Sequence, residues 1–260
     1  AKEYTARTGK TLAVEDNPHA LAQLRNGMDE AGAARMQDLV SDMEFIRKNK
    51  LADAWKEYGI ANQVVNDRAG VYSPEVVAAE ASKLKRLQET LSPEQFEQVQ
   101  AAVQRTIDFQ DGQLQRLRDS GFISQEGYDA IKEVNPNYFS RFNFAEYIDD
   151  NQRLFASTNS KNISQNIIRA VKGAGDDAKY IIEDPAEAIT RATIKTENLI
   201  QNNKVFGAID RLKETLPEMV IKVRDADDVA QRMSLSLDNQ ELRPIRNQLD
   251  RAIKRDNRTV

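Results

Sequence analysis

Residues 92–120 read SPEQFEQVQAAVQRTIDFQDGQLQRLRDS, and this stretch decides the fold class. Ser92 is a helix-capping residue type, Pro93 suits the first helical position, and Glu94 places an acid in the positively polarised first turn. Apolar side chains then recur at nearly helical spacing, at Phe96, Val99, Val103, Ile107, Leu114 and Leu117. At about 1.5 Å per residue this helix would be about 42 Å long. Gly121 follows as a residue that can close it in the left-handed conformation.

The same kind of start signal recurs elsewhere in the chain. Each signal is a Ser, Asn or Asp whose side chain can accept from the free N–H groups of a first helical turn, and Pro often follows it. These caps predict four more helices: Pro18 to about Asn49 with a bend or break at Gly27 or Gly32, one beginning at Pro74, Ser124 to about Val134, and Pro185 to about Thr215.

A further helical stretch runs from Leu51 to Arg68. Its larger side chains fall near one helical face, which we expect to be buried. The members of this face are Leu51, Ala54, Trp55, Tyr58 and Val65. We predict that Trp55, the single tryptophan, anchors the core.

Composition agrees with these patterns, because only 11 Gly and 7 Pro occur among the 260 residues. Few positions therefore supply the backbone geometry of tight turns. We predict an all-α fold, an elongated bundle of long helices with at most one short strand or hairpin near the C-terminal part. The one strand-like segment is Met219 to Val223, and a last helical region extends from about Asp227 to Arg255.

The organisation along the chain predicts two helical subdomains. Residues 17–148 would form the first, 149–180 an irregular connector with polar runs, and 181–260 the second. The chain begins at Ala1 without an initiator Met and ends on the β-branched pair Thr259 and Val260. We therefore expect it to be a fragment of a larger chain.

An aromatic cluster follows the helix stop at Asn135 and comprises Tyr138, Phe139, Phe142, Phe144 and Tyr147. Aromatic rings in such a position either fill the junction between helices or form a platform on which nucleic-acid bases stack. We favour the junction and keep the stacking platform as the alternative.

Three segments of the chain, taken in order, resemble a known protein family. They are NPHALAQLRNG, LRDSGFISQEGYDAIKEVNPNYFSRF and IIEDPAEAITRATIKTENLIQNNKVFGAIDRL. Together they resemble a helical region of the very large multidomain polyvalent proteins of phages and conjugative elements. In that family a Gly-containing turn ends one helix, a helix bearing glutamate follows, and a Tyr-containing YVPF.R element comes next. The corresponding residues here are Gly121, Ser124, Glu126, Tyr128, Tyr138, Phe139 and Arg141. The sequence departs from this element at Phe139-Ser140, where the family more usually has Pro and Phe.

The resemblance covers most of residues 17 to 215, and its motifs are packing motifs. In the polyvalent proteins such helical spacers alternate with helicase, methyltransferase, protease or nuclease domains. The resemblance therefore implies a mobile-element origin, with other domains of the same large protein as neighbours.

Candidate catalytic and metal-binding groups are few. The chain has no Cys, and His19 is the only histidine, so thiolate nucleophiles, cysteine-rich zinc sites and His-rich metal sites are excluded. We assign His19 to the surface or to helix capping. Carboxylate pairs such as Asp225 with Asp228 lack the spacing of a calcium loop. We predict no catalytic residue, no metal and no cofactor; a hydrolase or nuclease would need paired acids in a cleft.

Positive charge is concentrated at the end of the chain, in residues we term the C-terminal basic run. They are Arg243, Arg246, Arg251, Lys254, Arg255 and Arg258, against only Asp250 and Asp256 in the same stretch. Such a run is either a solvated helix end or a contact with DNA or RNA phosphates. The whole chain has a net charge of −4, which disfavours a surface that is basic throughout.

No apolar run reaches the roughly 20 residues of a membrane span, and the charged start AKEYTARTGK does not resemble a signal peptide. We therefore predict a non-catalytic structural and interaction module of a phage-encoded large virion or DNA-ejection protein, located in the virion or in the host cytoplasm after entry. Its expected partners are other domains of the same protein, other virion proteins or copies of itself, with DNA as a further partner. The first alternative is a nucleic-acid-binding segment, and the second is a hydrolase or nuclease with an unrecognised acidic site.

Overall fold

A computed structural model describes residues 2–24, 27–66, 71–137, 139, 144–151, 164–165, 168–169 and 184–216. Within these ranges all regular structure is helical and no strand occurs, which confirms the all-α class. None of the helices found there is both long and apolar enough to cross a lipid bilayer. The predicted strand at Met219 to Val223 and the last helical region lie outside the described residues.

The helices are numbered in chain order, and a 3₁₀ turn, Val14–Asp16, precedes the second. They are α1 (Lys2–Thr8), α2 (Pro18–Leu24), α3 (Met28–Lys48), α4 (Ala52–Asn66), α5 (Pro74–Thr90), α6 (Pro93–Asp119), α7 (Gln125–Val134), α8 (Phe144–Asp150) and α9 (Pro185–Thr215).

The predicted start signals are N-caps in the structure, with side-chain oxygens that accept from backbone N–H groups two or three residues ahead. The cap residues are Asn17, Ser73, Ser92, Ser124 and Asp184. Ser92 also forms a capping box, because the Gln95 side chain accepts from the Ser92 backbone N–H at 3.1 Å. Helices α6, α7 and α9 consequently begin where the sequence places them.

The break expected in the first long stretch occurs at Gly27, which precedes α3. Gly32 instead lies inside α3 and is buried. A Cβ atom built on Gly32 would lie 3.1 Å from Ile194 Cγ1 and 3.2 Å from its Cα. Helix α9 therefore approaches the α3 backbone closely at this position, and glycine permits the approach.

Three short elements were not predicted from the sequence, namely α1, the 3₁₀ turn and α8. Each spans seven residues or fewer, so none has enough helical periods to show a stripe. Helix α8 carries Phe144 and Tyr147, two members of the aromatic cluster.

The chain divides into two compact units, Ala1–Gln23 with Lys204–Val260, and Leu24–Asn203. Most of the predicted connector, residues 149–180, lies outside the described residues. The first half of α9, which the sequence assigned to a C-terminal subdomain, packs with helices of the preceding stretch: Ile189 joins a core with Trp55 and Val99, whereas Leu199 joins another with Ile131.

The unit Leu24–Asn203 contains both hydrophobic cores. One lies among α3, α4, the first half of α6 and the start of α9, and its fully buried members include Val99, Val103 and Phe139. The second lies among the end of α6, α7, α8 and the middle of α9, where Ile123, Ile131, Ile148 and Leu199 are buried. Helices α6 and α9 contribute side chains to both cores.

Candidate functional site

Glu197, in the middle of α9, is the one buried charged residue among those that the structure describes. The same stretch of α9 buries the polar side chains of Thr193, Thr196 and Gln201. A buried carboxylate is costly unless it is paired and hydrogen-bonded, so its surroundings decide what it can do.

Two arginines from two other helices hold Glu197. Arg116 of α6 donates from Nη2 to Glu197 Oε2 at 2.8 Å and from Nη1 to Oε1, a two-pronged contact that matches the carboxylate geometry. Arg35 of α3 places its Nε 2.6 Å from Oε1. We term this group of three side chains the Glu197 clasp. It joins α3, α6 and α9.

The clasp keeps Glu197 ionised. Burial raises the pKa of its carboxyl, but the hydrogen bonds and charges of Arg116 and Arg35 more than offset burial, so the pKa lies below the ordinary value of 4.5. A general acid or base works best with a pKa near the operating pH. Glu197 is therefore suited to joining helices and poorly suited to proton transfer at neutral pH.

A second ion pair joins the start of α9 to α4. Lys56 Nζ donates to Asp184 Oδ2, while Asp184 Oδ1 accepts from the backbone N–H of Ala186 at 2.8 Å. The Lys56 hydrogen bond is the largest influence on the Asp184 carboxyl, whose pKa lies below its usual range of about 3.8. Asp184 thus acts as a helix cap and as a tie between two helices.

An apolar groove lies beside this ion pair in the unit Leu24–Asn203. We term it the α3–α4 groove; it has a volume of about 350 Å³. Its apolar lining comprises Val40, Met43, Ile46, Ala52, Trp55 and Ala186, and Glu44, Arg47 and Lys56 supply its charged lining. Val40 is 51% exposed, so part of the apolar lining faces solvent.

Trp55 and Phe139, both singled out in the sequence, contact each other in the core that contains Val99. Trp55 and Phe139 contact edge to face, with ring centroids 5.0 Å apart and planes at 73°. A Cβ atom on Gly59 would lie 2.3 Å from Phe139 Cε1, so the ring rests directly on the α4 backbone. Phe139 is 1% exposed and cannot stack on a base in this position.

Gly121 and Tyr128 lie near the end of α6. Gly121 has the left-handed φ of +75° that its position after the helix predicts. The Tyr128 ring lies 4.7 Å from the Arg118 guanidinium carbon, and its hydroxyl donates to Asp111 at 3.4 Å. Gly121 therefore closes α6, and Tyr128 packs on side chains of that helix.

The remaining candidates, Tyr138, Arg141 and the C-terminal basic run, lie outside the described residues. His19 is exposed, and its Nε2 lies 3.2 Å from Gln23 Nε2. In the part of the chain that the structure describes, no group of three or more His, Cys, Asp or Glu side chains is arranged to hold a metal ion.

No protein-family model, curated protein or solved structure matches this chain. The resemblance to the polyvalent proteins consequently stays a prediction based on the quoted motifs.

Proposed function

We propose that this chain is a non-catalytic structural and interaction module of a phage-encoded large virion or DNA-ejection protein. The observation that carries the proposal is the Glu197 clasp. The buried carboxylate that would be the first candidate for acid–base chemistry is held ionised by two arginines and joins three helices. Its role is to fix helix packing.

The α3–α4 groove supports an interaction role. A stable interface between separate proteins buries about 800 Å² and about 20–30 residues on each partner, whereas only nine residues line this groove. A partner tethered in the same chain gains a high effective concentration and can use so small a surface. We therefore propose another domain of the same large protein as its occupant; a second copy or a separate virion protein is the alternative outcome of the test.

The test is cross-linking in purified particles of a phage that encodes the full-length protein. A photocross-linking residue replaces Val40 at the groove. In a control protein it replaces Val76 of α5, which is 42% exposed, close to the 51% of Val40. We expect peptides of the chain in the particles and cross-links from position 40 to one segment of the same protein.

Two results would contradict the proposal. Absence of the chain from particles purified through successive density gradients would exclude the virion role. Equal and scattered cross-links from positions 40 and 76 would show that the groove has no specific occupant.

The C-terminal basic run favours one other candidate function, contact with nucleic acid. Its six basic residues against two acidic ones give a local positive charge within an acidic chain. A DNA-binding segment of a mobile-element polyvalent protein is thus the second candidate, and it requires binding that weakens steeply with salt.

A further inference from the structure

A polar cleft lies between α4 and α6 in the unit Leu24–Asn203, and we term it the α4–α6 cleft. Its volume is about 420 Å³, and its lining residues all differ from those of the α3–α4 groove. Five side chains carry its polar groups: Tyr58, Asn62, Glu97, Gln100 and Gln104. The two on α4 are half-buried and the three on α6 are exposed, so a molecule in solution can reach them. Ala101 and Val103 complete the lining.

The wall of the cleft that α6 forms keeps free acceptors. Gln100 Nε2 donates to the Tyr58 hydroxyl at 3.0 Å. Gln104 Nε2 donates to Asp108 Oδ1 at 2.9 Å. The Oε1 atoms of both glutamines therefore remain available to a ligand. Glu97 has no ion-pair partner among the residues that the structure describes. These three residues stand at positions i, i+3 and i+7, so they share one face of α6 over about 10 Å.

The wall that α4 forms keeps free donors instead. The Tyr58 hydroxyl accepts from Gln100, which leaves its own hydrogen to donate. Asn62 Oδ1 accepts from Asn66 Nδ2 at 2.8 Å, so Asn62 Nδ2 keeps its hydrogens for another acceptor. The lining, made of described residues only, includes no cationic side chain. The cleft thus has donors on one wall and acceptors, one of them charged, on the other.

These two walls select the chemistry of a ligand. The unpaired carboxylate of Glu97 disfavours phosphates and other anions and favours a cation with several donors. A guanidinium group has several N–H donors, is always charged and matches a carboxylate in a two-pronged contact. The donors of α4 need an acceptor, which a peptide carbonyl supplies. A neutral polyol also meets both walls but leaves the carboxylate without a counter-charge.

We propose that the α4–α6 cleft binds an arginine-containing peptide segment of a partner. The guanidinium contacts Glu97 and Gln100, and a backbone carbonyl accepts from Tyr58 or Asn62. The α6 wall, about 10 Å long, matches about three residues of extended peptide at about 3.3 Å each. The inference does not depend on the function proposed above, because it concerns a different surface and is tested on the 260-residue chain itself.

The probe is acetyl-Gly-Arg-Gly amide, and its matched control carries citrulline, which has nearly the shape of arginine without the charge. Each peptide is titrated into the full chain with ¹⁵N-labelled side-chain amides. We expect saturable shifts at Asn62 and Gln100, and none at Gln115, which lies about 16 Å beyond Gln104 along α6. The arginine peptide should bind about three- to fivefold more tightly, the value of one exposed ion pair. In about 1 M NaCl the two affinities should converge, because salt screens exposed charges.

Variants test the assignment to each wall. Glu97→Gln keeps the side-chain shape without the charge and should lower the affinity of the arginine peptide to that of the citrulline peptide. Glu94→Gln, three residues earlier on α6 and outside the cleft, should leave the ratio unchanged. Both positions are exposed, so neither change disturbs the core. Tyr58→Phe removes a donor of the α4 wall and should weaken both peptides by a similar factor of about two to five.

Several results would overturn the proposal. Equal binding of the two peptides at low salt, or a preference for arginine that survives Glu97→Gln, would show that Glu97 does not select a cation. A preference that Glu94→Gln removes as well would show only a general attraction to an acidic chain. Shifts that rise without saturation, or that spread to Gln115, would show that the cleft is not a binding site.

Discussion

Replacing Glu197 with Gln tests whether the buried carboxylate fixes the packing of α9. The variant keeps the shape and removes the charge, which leaves Arg116 and Arg35 next to an amide that can satisfy only part of their donors. Breaking a buried ion pair by removing one partner costs about 3–5 kcal/mol. Arg35 is 48% exposed and can recover hydration, so we expect the low end of that range, about 3 kcal/mol at pH 7.

The dependence on pH separates charge from packing. The pKa of Glu197 in the folded protein lies below the ordinary value of 4.5. The ionised clasp therefore contributes its full stability above pH 4.5, and this contribution is lost as the pH falls through the folded-state pKa. The free-energy gap between the two proteins should be constant from about pH 6 to 8 and should close below 4.5. The ion pair of Asp184 is present in both proteins and cancels.

Urea unfolding followed by the fluorescence of Trp55, the single and buried tryptophan, measures the gap at each pH. Glu89→Gln is the control, because Glu89 is 64% exposed and its contact with Lys85, at 3.8 Å, is a surface pair. Such pairs contribute about 0.3–0.5 kcal/mol. A cost below 1 kcal/mol for Glu197→Gln, or a gap that is as large at pH 3 as at pH 7, would refute the argument that the charge holds the helices.

Three further predictions follow from other contacts. Phe139→Ala should lower the free energy of unfolding by about 3–5 kcal/mol, because it removes a buried ring between Trp55 and the α4 backbone; a loss below 1 kcal/mol with weaker single-strand binding would support a stacking platform instead. Gly121→Ala should cost about 1–2 kcal/mol, whereas Lys50→Gly should stabilise by about 1 kcal/mol, since both positions close a helix with positive φ (+75° and +59°); thermal unfolding that moves both midpoints in the same direction would contradict this. Replacing the four basic residues between 251 and 258 with Gln should leave binding negligible, as in the unchanged chain, in a gel shift at physiological salt; submicromolar, sequence-tolerant binding abolished by these changes would establish the nucleic-acid function.

Helix termini could be predicted from the sequence because capping is local. Ser92 and Gln95 are three residues apart, and their mutual hydrogen bonds need no other part of the fold. The end of α6 is equally local: Phe122 N–H donates to the Leu117 carbonyl at 2.9 Å, and Gly121 supplies the positive φ. Lys50 has the same positive φ after α3 although it is not glycine. The residue type therefore does not predict where α3 ends.

The Glu197 clasp could not be predicted, because its members are far apart in the chain. Arg116 and Glu197 are separated by 81 residues, and charged residues make up 30% of the sequence. No spacing rule selects this pair among so many. One sequence feature did indicate a buried polar group in α9: Thr193 and Thr196 interrupt the apolar face that includes Ile189 and Leu199.

The arrangement of the aromatic cluster depends on more than its local sequence pattern. Phe139, Phe144 and Tyr147, the three members that the structure describes, are all buried. They divide between two cores, however: Phe139 packs with Trp55, while Phe144 and Tyr147 pack with Ile131. The division depends on which helices stand on either side, and that information lies outside the segment.

The polar face of α9 also explains why this helix can pack on its neighbours in only one register. An apolar stripe tolerates a shift of one turn, because one aliphatic side chain replaces another at little cost. A shift of about 5.4 Å would move Glu197 away from Arg116 and Arg35 and leave a buried carboxylate unpaired. The close approach of Ile194 to Gly32 adds a second constraint, since a residue with a side chain would otherwise meet α9 there. The clasp therefore selects one arrangement of α3, α6 and α9, which is the property that the structural role proposed above requires.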